Sequence, residues 1–217
     1  MSTTAKSNAK STTRRKPAQS AQERPAAQVV QFPFECPKPR QTHPAEAVAV
    51  VREVSKDAVK IFLMPRPSAV RCILNETFGP LGWGERRYFA DGRLWCAVGV
   101  FNPYMGDYCF WDAAAFEGKH PGSPERWKEE TSFVAAAELW GVGSDVLALP
   151  PIVLRGDQVA ISSVQKPGRK PDEVPQIVGY RLASALTVDK FLRDPDTGEI
   201  LSVQFTDKDG RKITWEK

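Results

Sequence analysis

The sequence predicts an α+β protein: an antiparallel β-meander with packed helices in the order β-β-β-α, plus a small C-terminal antiparallel meander. Three observations support this class. Short runs of β-branched and aromatic residues alternate with turn dipeptides such as Asp-Gly, which is typical of hairpins. Two segments change to the apolar spacing of a helix, and both end at glycine. A second series of short runs with strong turn signals closes the chain.

These patterns divide the chain into four regions. We predict a disordered basic arm and proline-rich strap at 1–45, a folded core at 46–160, a flexible loop at 161–176 and a C-terminal β-meander at 177–217. Residues 1–28 contain six of the 30 Lys and Arg residues and one of the 26 Asp and Glu residues, which leaves 24 bases and 25 acids elsewhere. Any anion binding by the folded body must therefore come from local clustering of cations.

The core begins with two short strands and a helix. Strands are predicted at 47–54 and 58–64, on either side of the polar turn SKDA. Apolar residues then recur at the spacing of one helical face: Val70, Ile73, Leu74 and Phe78. Ser68 is the predicted cap of this helix, and the Gly-Pro pair after its last apolar residue ends it.

A three-stranded meander follows, with the strand segments ERRYFA, RLWCAVGVFN and DYCFWDAAAF. The middle strand alternates between two faces, which is the pattern of a half-buried strand. One face carries Leu94, Cys96, Val98 and Val100. The opposite face carries Arg93, Trp95, Ala97 and Gly99. We expect the first of these faces to lie against a helix.

That helix is predicted from Ser123, its cap, to Trp140, where Gly141 and Gly143 end it. Pro124 takes the first helical position, and glutamates in the N-terminal half suit the helix dipole. An apolar stripe follows at helical spacing: Phe133, Ala136, Ala137 and Trp140. This stripe is the core face of a helix lying across the meander.

Several function classes find no support in the sequence. The four cysteines lie far apart and without a neighbouring histidine pair, so neither a zinc site nor a disulfide framework is predicted. No nucleotide-binding glycine loop, dinucleotide motif or nucleophile elbow occurs. No apolar run is long enough to span a bilayer. We therefore expect a cytoplasmic protein with no membrane contact that is not an enzyme and uses no cofactor or metal.

One enzymatic alternative rests on the segment GDYCFWDAAAFEGK. Asp107 or Asp112, with Glu117 and Lys119, would supply the carboxylates and the lysine of a metal-dependent nuclease. In such sites the carboxylates hold a divalent ion, and the lysine orients the attacking water. The close spacing of Asp112 and Glu117 is unlike that of side chains on neighbouring strands, which makes this the weaker reading.

Cations beside aromatic residues are the stronger functional signal. Single-stranded nucleic acid requires positive charge for its phosphates and flat rings on which its bases stack. The residues that combine these properties are Arg71, Trp83, Arg86, Arg87, Lys119, Arg126 and Lys128. We interpret them as candidate nucleic-acid-binding residues.

The order of these elements resembles a known family. The first helix ends in F-G-x-x-G-W at 78–83, the strand segment DGRLWCAVGV follows, and the second helix closes on W-G-V-G at 140–143. Together with the closing segment KFLRDPDTGEILSVQFTDKDGRKITW, these motifs resemble the Rad-fifty-two-type single-strand annealing protein family, particularly its phage and mobile-element branch. The resemblance covers residues 45 to 155, so the core at 46–160 is interpreted as an annealing-protein-like domain.

The resemblance implies a role in DNA recombination or repair. Members of the family bind single-stranded DNA in a basic groove around a homo-oligomeric ring or filament, and they anneal complementary strands without ATP or a metal. For this chain it implies single-stranded DNA as the partner and the candidate residues above as its contacts. The N-terminal arm is a possible contact for another recombination or replication protein.

The chain departs from the family in the second helix. Relatives usually read F-K-R-A there, with a lysine and an arginine that help to bind the DNA backbone, whereas this sequence has Val134 and Ala135. Farther along, Glu138 stands where eukaryotic members have an arginine. A second hypothesis therefore keeps the fold and assigns the chain as an oligomeric accessory or structural protein that binds a protein partner.

Overall fold

The computed structural model, which describes residues 36–116, 123–166 and 175–217, has the α+β architecture that the sequence predicts. The strands are β1 (Ala47–Val54), β2 (Ala58–Pro65), β3 (Trp83–Ala90), β4 (Arg93–Asn102), β5 (Asp107–Ala114), β6 (Ile152–Arg155), β7 (Ile161–Lys166), β8 (Gln176–Leu182), β9 (Thr187–Arg193), β10 (Ile200–Thr206) and β11 (Lys212–Glu216). The helices are α1 (Pro67–Phe78), α2 (Pro124–Glu138) and α3 (Ser144–Leu147), and a 3-10 turn spans Pro44–Glu46. The predicted basic arm at 1–28 lies outside the described residues.

All strand pairs are antiparallel. They form the sheets β1-β2-β6, β3-β4-β5 and β9-β10-β11 and the hairpin β7-β8. The middle sheet in this order is the predicted meander, and the third is the predicted C-terminal meander. The fold class is therefore confirmed, and the first two predicted strands agree with β1 and β2 to within one residue.

The β1-β2-β6 sheet, which we call the central sheet, is covered on both faces. Successive side chains of a strand point to opposite faces, so β2 contributes to two cores. Ile61 and Leu63 are buried in a core shared with the C-terminal sheet. Phe62 and Met64 face a second core shared with α1, α2 and the meander. This double burial explains why β2 reads as a nearly continuous apolar run.

The second core confirms the alternation predicted for the meander. Cys96 and Val98 of β4 are fully buried there, beside Phe133 and Ala136 of α2. Trp140 lies beyond the end of α2, which stops at Glu138, two residues before the predicted end. Its indole Nε1 donates a hydrogen bond to the Val98 carbonyl oxygen at 2.8 Å, which ties the end of the helix to the middle of the meander.

Helix starts follow local chemistry in both long helices. Ser123 caps α2 as predicted, since its hydroxyl oxygen accepts from the Arg126 backbone N–H. The cap of α1 differs from the prediction, because α1 begins at Pro67 and Arg66 is the cap residue instead of Ser68. Proline favours the first helical position, because the N–H that proline lacks would have no intrahelical partner there. It therefore sets the start one residue earlier.

The region predicted as a loop at 161–176 differs in the structure. Its first part is strand β7, which pairs with β8 from Ile161 opposite Leu182 to Lys166 opposite Gln176. The sequence ISSVQK has little apolar content and no clear alternation. Its strand character comes from backbone pairing with a distant segment, which local composition does not reveal.

The proline-rich strap packs on the body from Cys36 onward, as an extended segment. Arg40 holds it at one side through Glu46, at 2.7 Å, and Glu76, at 2.6 Å. This pairing keeps the pKa of Glu46 below its usual value. At the other side the buried Thr42 donates its backbone N–H and its hydroxyl to the two carboxylate oxygens of Asp145, at 2.9 and 2.8 Å.

Arg193 completes this second attachment. Its guanidinium donates to Asp145 and to the Thr42 carbonyl oxygen, at 2.7 and 2.8 Å. Both charged side chains are mostly buried, at 18% and 16% exposure. We call the three residues Thr42, Asp145 and Arg193 the Arg193 lock. The lock joins the strap, α3 and strand β9, which are far apart in sequence.

We expect Arg193→Ala to lower the free energy of unfolding by about 2 kcal/mol, because it leaves a mostly buried carboxylate with fewer donors. Urea unfolding followed by tryptophan fluorescence measures this loss. Lys212→Ala is the matched control, since it removes an exposed ion pair with Asp189 whose nitrogen and oxygen lie 3.6 Å apart. The control should lose no more than about 0.5 kcal/mol. Equal losses in the two variants would show that the Arg193 lock stabilises the fold no more than an exposed ion pair does.

Candidate nucleic-acid interface

Three arginines line one open groove between β1, the start of α1 and the start of α2. The groove has a volume of ≈ 550 Å³, and its arginines are Arg66, Arg71 and Arg126. Val50 and Met64 lie among its apolar lining residues. We call it the arginine groove. The structure thus brings together two of the predicted residues, Arg71 and Arg126, which are far apart in sequence.

Arg66 was not among the predicted residues. It stands alone between two prolines in the sequence, with no neighbouring cation or aromatic residue. Arg66 is the extended cap residue of α1, and Arg71 lies five positions later, which is not the spacing of one helical face. No sequence pattern therefore paired these two arginines.

Arg71 is held in place from two directions. Its guanidinium donates to both carboxylate oxygens of Glu85 on β3, at 2.8 and 3.3 Å. Its central carbon also lies 4.4 Å from the ring centroid of Phe133, as in a cation–π contact. The side chain is still 41% exposed. Arg71 is therefore oriented by the protein and also accessible to a ligand.

Glu85 extends the network to Arg87, at 3.3 Å. A second nitrogen of Arg87 lies 3.5 Å from Glu129 on α2. Arg126 forms a separate pair with Glu130, one turn along α2, at 2.7 Å. Acidic side chains therefore hold the predicted arginines in a partly neutralised cluster where α1, β3 and α2 meet.

Trp83 has a structural position in this cluster. Its indole Nε1 donates to the Asn75 side-chain oxygen at 2.7 Å. Its ring tilts against Phe133 with 6.2 Å between centroids, and the residue is half-buried. The indole therefore supports the phenyl ring on which Arg71 rests.

Arg86 lies on the other face of the meander from its neighbour Arg87. Its central carbon is 4.1 Å from the ring centroid of Phe110 on β5. That ring in turn lies over Gly99, where an added Cβ would come within 2.5 Å of a ring carbon. Glycine is therefore required at this position of β4 for the ring to lie flat across the strand.

Arg86 and Phe110 belong to a surface of one arginine and five aromatic residues, which we call the aromatic platform. The strand pairing places its members on the face of the meander away from α2: Arg86, Tyr88, Trp95, Phe101, Tyr108 and Phe110. The rings of Tyr88 and Trp95 are stacked within 8° of parallel, with centroids 6.5 Å apart. Phe101, at 39% exposure, and Tyr108 meet edge to face at 5.4 Å. The alternation of β4 in the sequence predicted this face for Trp95. The β5 residues could be assigned to it only from the register of β5 against β4.

The hydroxyl groups of the platform are anchored to the protein. Tyr88 donates to Asp112 at 2.6 Å, and this hydrogen bond raises the pKa of Tyr88. Tyr108 donates to the Leu81 carbonyl oxygen at 2.7 Å. Both rings are thereby held in fixed orientations, with one edge satisfied and a face toward solvent.

One described candidate, Lys128, is not part of either surface. Lys128 is exposed on α2, but it lies about 200° around the helix from Arg126. Lys119 falls outside the described residues. The six described candidates therefore separate into the cluster at the groove, Arg86 on the platform, and Lys128 apart from both.

The nuclease alternative gains no geometry from β5. Asp107 and Asp112 are five positions apart on this strand, so their side chains point to opposite faces. Asp112 accepts from Tyr88, and Asp107 accepts from the Tyr108 backbone N–H. Within the described ranges, no three metal-ligating side chains come together, while Glu117 and Lys119 lie outside those ranges.

The alanine-rich part of α2 is inside the protein. Val134 is fully buried and Ala135 is 8% exposed, at the positions where the family resemblance places a lysine and an arginine. Glu138 is half-buried, and burial raises the pKa of its carboxyl group. In this chain the corresponding helix face packs in the core. A lysine and an arginine at these two positions would therefore be buried away from solvent.

Comparisons with protein-family models, with curated proteins and with solved structures found no match. Among the described residues, no helix combines the length and apolarity needed to cross a membrane.

Introducing the family's cations should unfold the protein. We expect Val134→Lys combined with Ala135→Arg to cost about 4 kcal/mol or more, because the new charges would be buried without partners. Thermal unfolding followed by circular dichroism measures the loss. Leu139→Lys is the control, because this neighbouring side chain is 50% exposed. Stronger DNA binding by a double variant with unchanged melting temperature would mean that this helix face opens to solvent.

Proposed function

We propose that this chain binds single-stranded DNA and promotes ATP-independent annealing of complementary strands in recombination or repair, as a homo-oligomer in ring or filament form. Two lines of reasoning support this. The motif order resembles the Rad-fifty-two-type annealing proteins. Independently, the described residues combine a cationic groove with an aromatic surface, which are the two features that single strands require.

The observation that carries the proposal is the position of strand β3. Arg87 points from β3 toward the cluster at the arginine groove, and Arg86 and Tyr88 point from the same strand to the aromatic platform. β3 is also an edge strand, since its only pairing partner in the described sheet is β4. A single strand that follows this edge would have phosphate-binding groups on one side and rings on the other.

The arginine groove suits phosphate although its arginines already have acidic partners. Exposed ion pairs add little net stability, because each gains a modest Coulomb energy and loses side-chain freedom. The Arg126 side chain is 78% exposed, so its contact with Glu130 can be exchanged for a phosphate oxygen at small cost. A guanidinium also binds phosphate through two parallel hydrogen bonds, which compensates for the lost carboxylate.

The aromatic platform suits bases that must remain available for pairing. Every base has a flat face, so stacking on a ring does not depend on the DNA sequence. A stacked base contacts the ring through this face, and its pairing edge stays free. Pairing of complementary strands is itself favourable, by about 1.4 kcal/mol for each base-pair step. A protein that neutralises phosphates and aligns bases can therefore accelerate annealing without consuming ATP.

A second candidate function is favoured by one observation. Glu85, Glu129 and Glu130 partly neutralise the arginine cluster, and the helix face that carries cations in the family is buried. An oligomeric accessory protein that binds a protein partner would need no stronger positive field. This function predicts that full-length protein neither binds single strands at low salt nor accelerates their pairing.

We expect neutralising the groove to weaken DNA binding and to reduce its salt dependence. The triple variant Arg66→Gln, Arg71→Gln, Arg126→Gln should lower the slope of log affinity against log salt by about 2, because each phosphate contact on a single strand contributes about 0.7. Fluorescence anisotropy with a labelled oligothymidylate measures the slope.

A matched triple variant controls for net charge in this measurement. Lys56→Gln, Lys190→Gln and Lys208→Gln change three exposed lysines outside the groove. If this control loses as much slope as the groove variant, binding depends on overall charge and the assignment to the groove is wrong. Annealing of complementary oligonucleotides, measured on the same samples, tests the activity itself.

Removing a ring from the platform should weaken binding without changing its salt dependence. Phe101→Ala should reduce affinity for single strands about tenfold, because stacking contributes about 1 kcal/mol or more for each base. Phe89→Ala is the control, since this ring is 76% exposed and lies on the opposite face of the meander. Equal affinity in the two variants would remove the platform from the binding site.

A further inference from the structure

The face of the meander that carries the aromatic platform has one carboxylate among the described residues of its three strands. The register of these strands places three charged residues on this face, the cations Arg86 and Arg93 and the acid Asp112. Asp112 is exposed and lies on β5, an edge strand of the sheet. Because a carboxylate repels phosphate, Asp112 affects how a single strand can lie on this surface.

Asp112 and Arg86 stand at opposite ends of one row of residues across the sheet. Arg86 on β3 is paired with Ala97 on β4, and Ala97 is paired with Asp112 on β5. Neighbouring strands are about 4.8 Å apart, so the backbones of the two charged residues are separated by about 10 Å. This separation is comparable to the length of a nucleotide from its phosphate to the far edge of its base.

Aromatic rings flank this row on both sides. Trp95 belongs to the row on one side of Ala97, and Phe110 belongs to the row on the other side. A nucleotide that lies across β4 can therefore stack its base on a ring while its phosphate is near Arg86. Its base edge is then near Asp112.

The Asp112 carboxylate is held in a defined orientation with one oxygen available. Tyr88 donates its hydroxyl to Oδ2 at 2.6 Å, and this hydrogen bond raises the pKa of Tyr88. The Tyr88 ring is itself stacked on Trp95. Within the part of the chain that the structure describes, the other oxygen, Oδ1, accepts from no backbone or side-chain donor. Oδ1 is therefore an acceptor beside a stacking surface.

The chemistry of the base edges decides which bases such an oxygen favours. Cytosine carries an amino group at N4 and adenine carries one at N6, and both groups are donors. Thymine and uracil carry a carbonyl oxygen, O4, at the position of the cytosine amino group, and a carboxylate oxygen repels it. Hydrogen bonds to an ionised acceptor are also stronger than those between neutral groups. A carboxylate at this position therefore favours cytosine and adenine over thymine.

We propose that Asp112 determines a base preference in the single strand that the platform binds, selecting cytosine and adenine through their amino groups. The phosphate side of the nucleotide lies toward Arg86 on β3, and Asp112 Oδ1 accepts from the base amino group on the β5 side. This inference rests on the single-strand binding proposed above. It adds a direction across the meander and a preference between bases.

The contact is compatible with strand annealing. The cytosine amino group has two N–H bonds, and base pairing uses one of them. The other N–H lies on the C5 side of the ring, which remains accessible in the major groove of a duplex. Asp112 can therefore hold a base through this N–H while the complementary base pairs with it.

Two oligonucleotides that differ at one edge of the base test the contact. Oligodeoxycytidylate and oligodeoxyuridylate share their sugar and phosphate groups and differ in the group at C4 and the proton at N3. We expect the full-length protein to bind the cytosine strand about tenfold more tightly, because one hydrogen bond to a charged group has about that effect. Fluorescence anisotropy at mildly alkaline pH, where cytosine carries no extra proton, measures both affinities.

A modified base tests the same contact without any change to the protein. A strand of N4,N4-dimethylcytosine lacks both N–H bonds of the amino group and keeps the stacking face of the ring. It should bind like the uracil strand. Equal affinity for the cytosine and dimethylcytosine strands would rule out a hydrogen bond to the amino group.

Asp112→Asn tests the charge of this side chain with little change in its shape. The preference for cytosine over uracil should fall to about twofold or less, because a neutral acceptor forms the weaker hydrogen bond. Binding of the uracil strand should become tighter, because the repulsion of O4 is lost. Asp107→Asn is the matched control, since this exposed acid is on the same strand and its side chain points to the other face. The control should keep the full preference.

The outcomes distinguish this inference from the function on which it rests. Equal affinity for the cytosine and uracil strands, or a preference that survives Asp112→Asn, would overturn the role of Asp112 and leave single-strand binding in place. Failure to bind either strand at low salt would overturn single-strand binding itself, and the role of Asp112 with it.

Discussion

The packing of the central sheet is the constraint on which the other elements depend. Because both faces of this three-stranded sheet are buried, a one-residue shift in strand pairing would move apolar side chains out of both cores. If β1 and β2 slipped by one residue, Ile61 would move from the core of the C-terminal sheet to the core of the helices, and Phe62 would move the other way. Both cores would lose their packing together, so the register of one hairpin determines the position of α1, α2 and the meander.

The same constraint explains how the charged surface is organised. α2 must turn an almost uncharged face to the meander, because Val134, Ala136 and Ala137 are fully buried there. Apart from Glu138 at its end, the charged residues of α2 lie in its first two turns, beside α1 and β3. At that junction Arg71 and Arg87 pair with glutamates of neighbouring elements, and Arg126 pairs with Glu130 of its own helix. The local field is modest, and selectivity depends on geometry more than on net charge.

Much of the fold was readable from the sequence because its signals are local. The alternation of Cys96 and Val98 predicted the buried face of β4, and the position of Ser123 predicted the start of α2. The missing parts depend on register between strands. Phe110 joins the platform only because β5 places it opposite Gly99, and β7 is a strand only because it pairs with β8. Neither relation leaves a periodic pattern in the residues themselves.

The Arg193 lock has a consequence for how the chain folds as it is made. Thr42 and Asp145 are synthesised long before Arg193, so during translation the strap and α3 have a carboxylate between them and no guanidinium. The C-terminal sheet that covers one face of the central sheet is also incomplete until β11. Because the central sheet is complete at β6 and its cover is formed by β9 to β11, the emerging chain exposes an apolar sheet face between these two stages of synthesis. Slow translation of β9 to β11 would prolong that exposure, which makes these strands a control point for aggregation during synthesis.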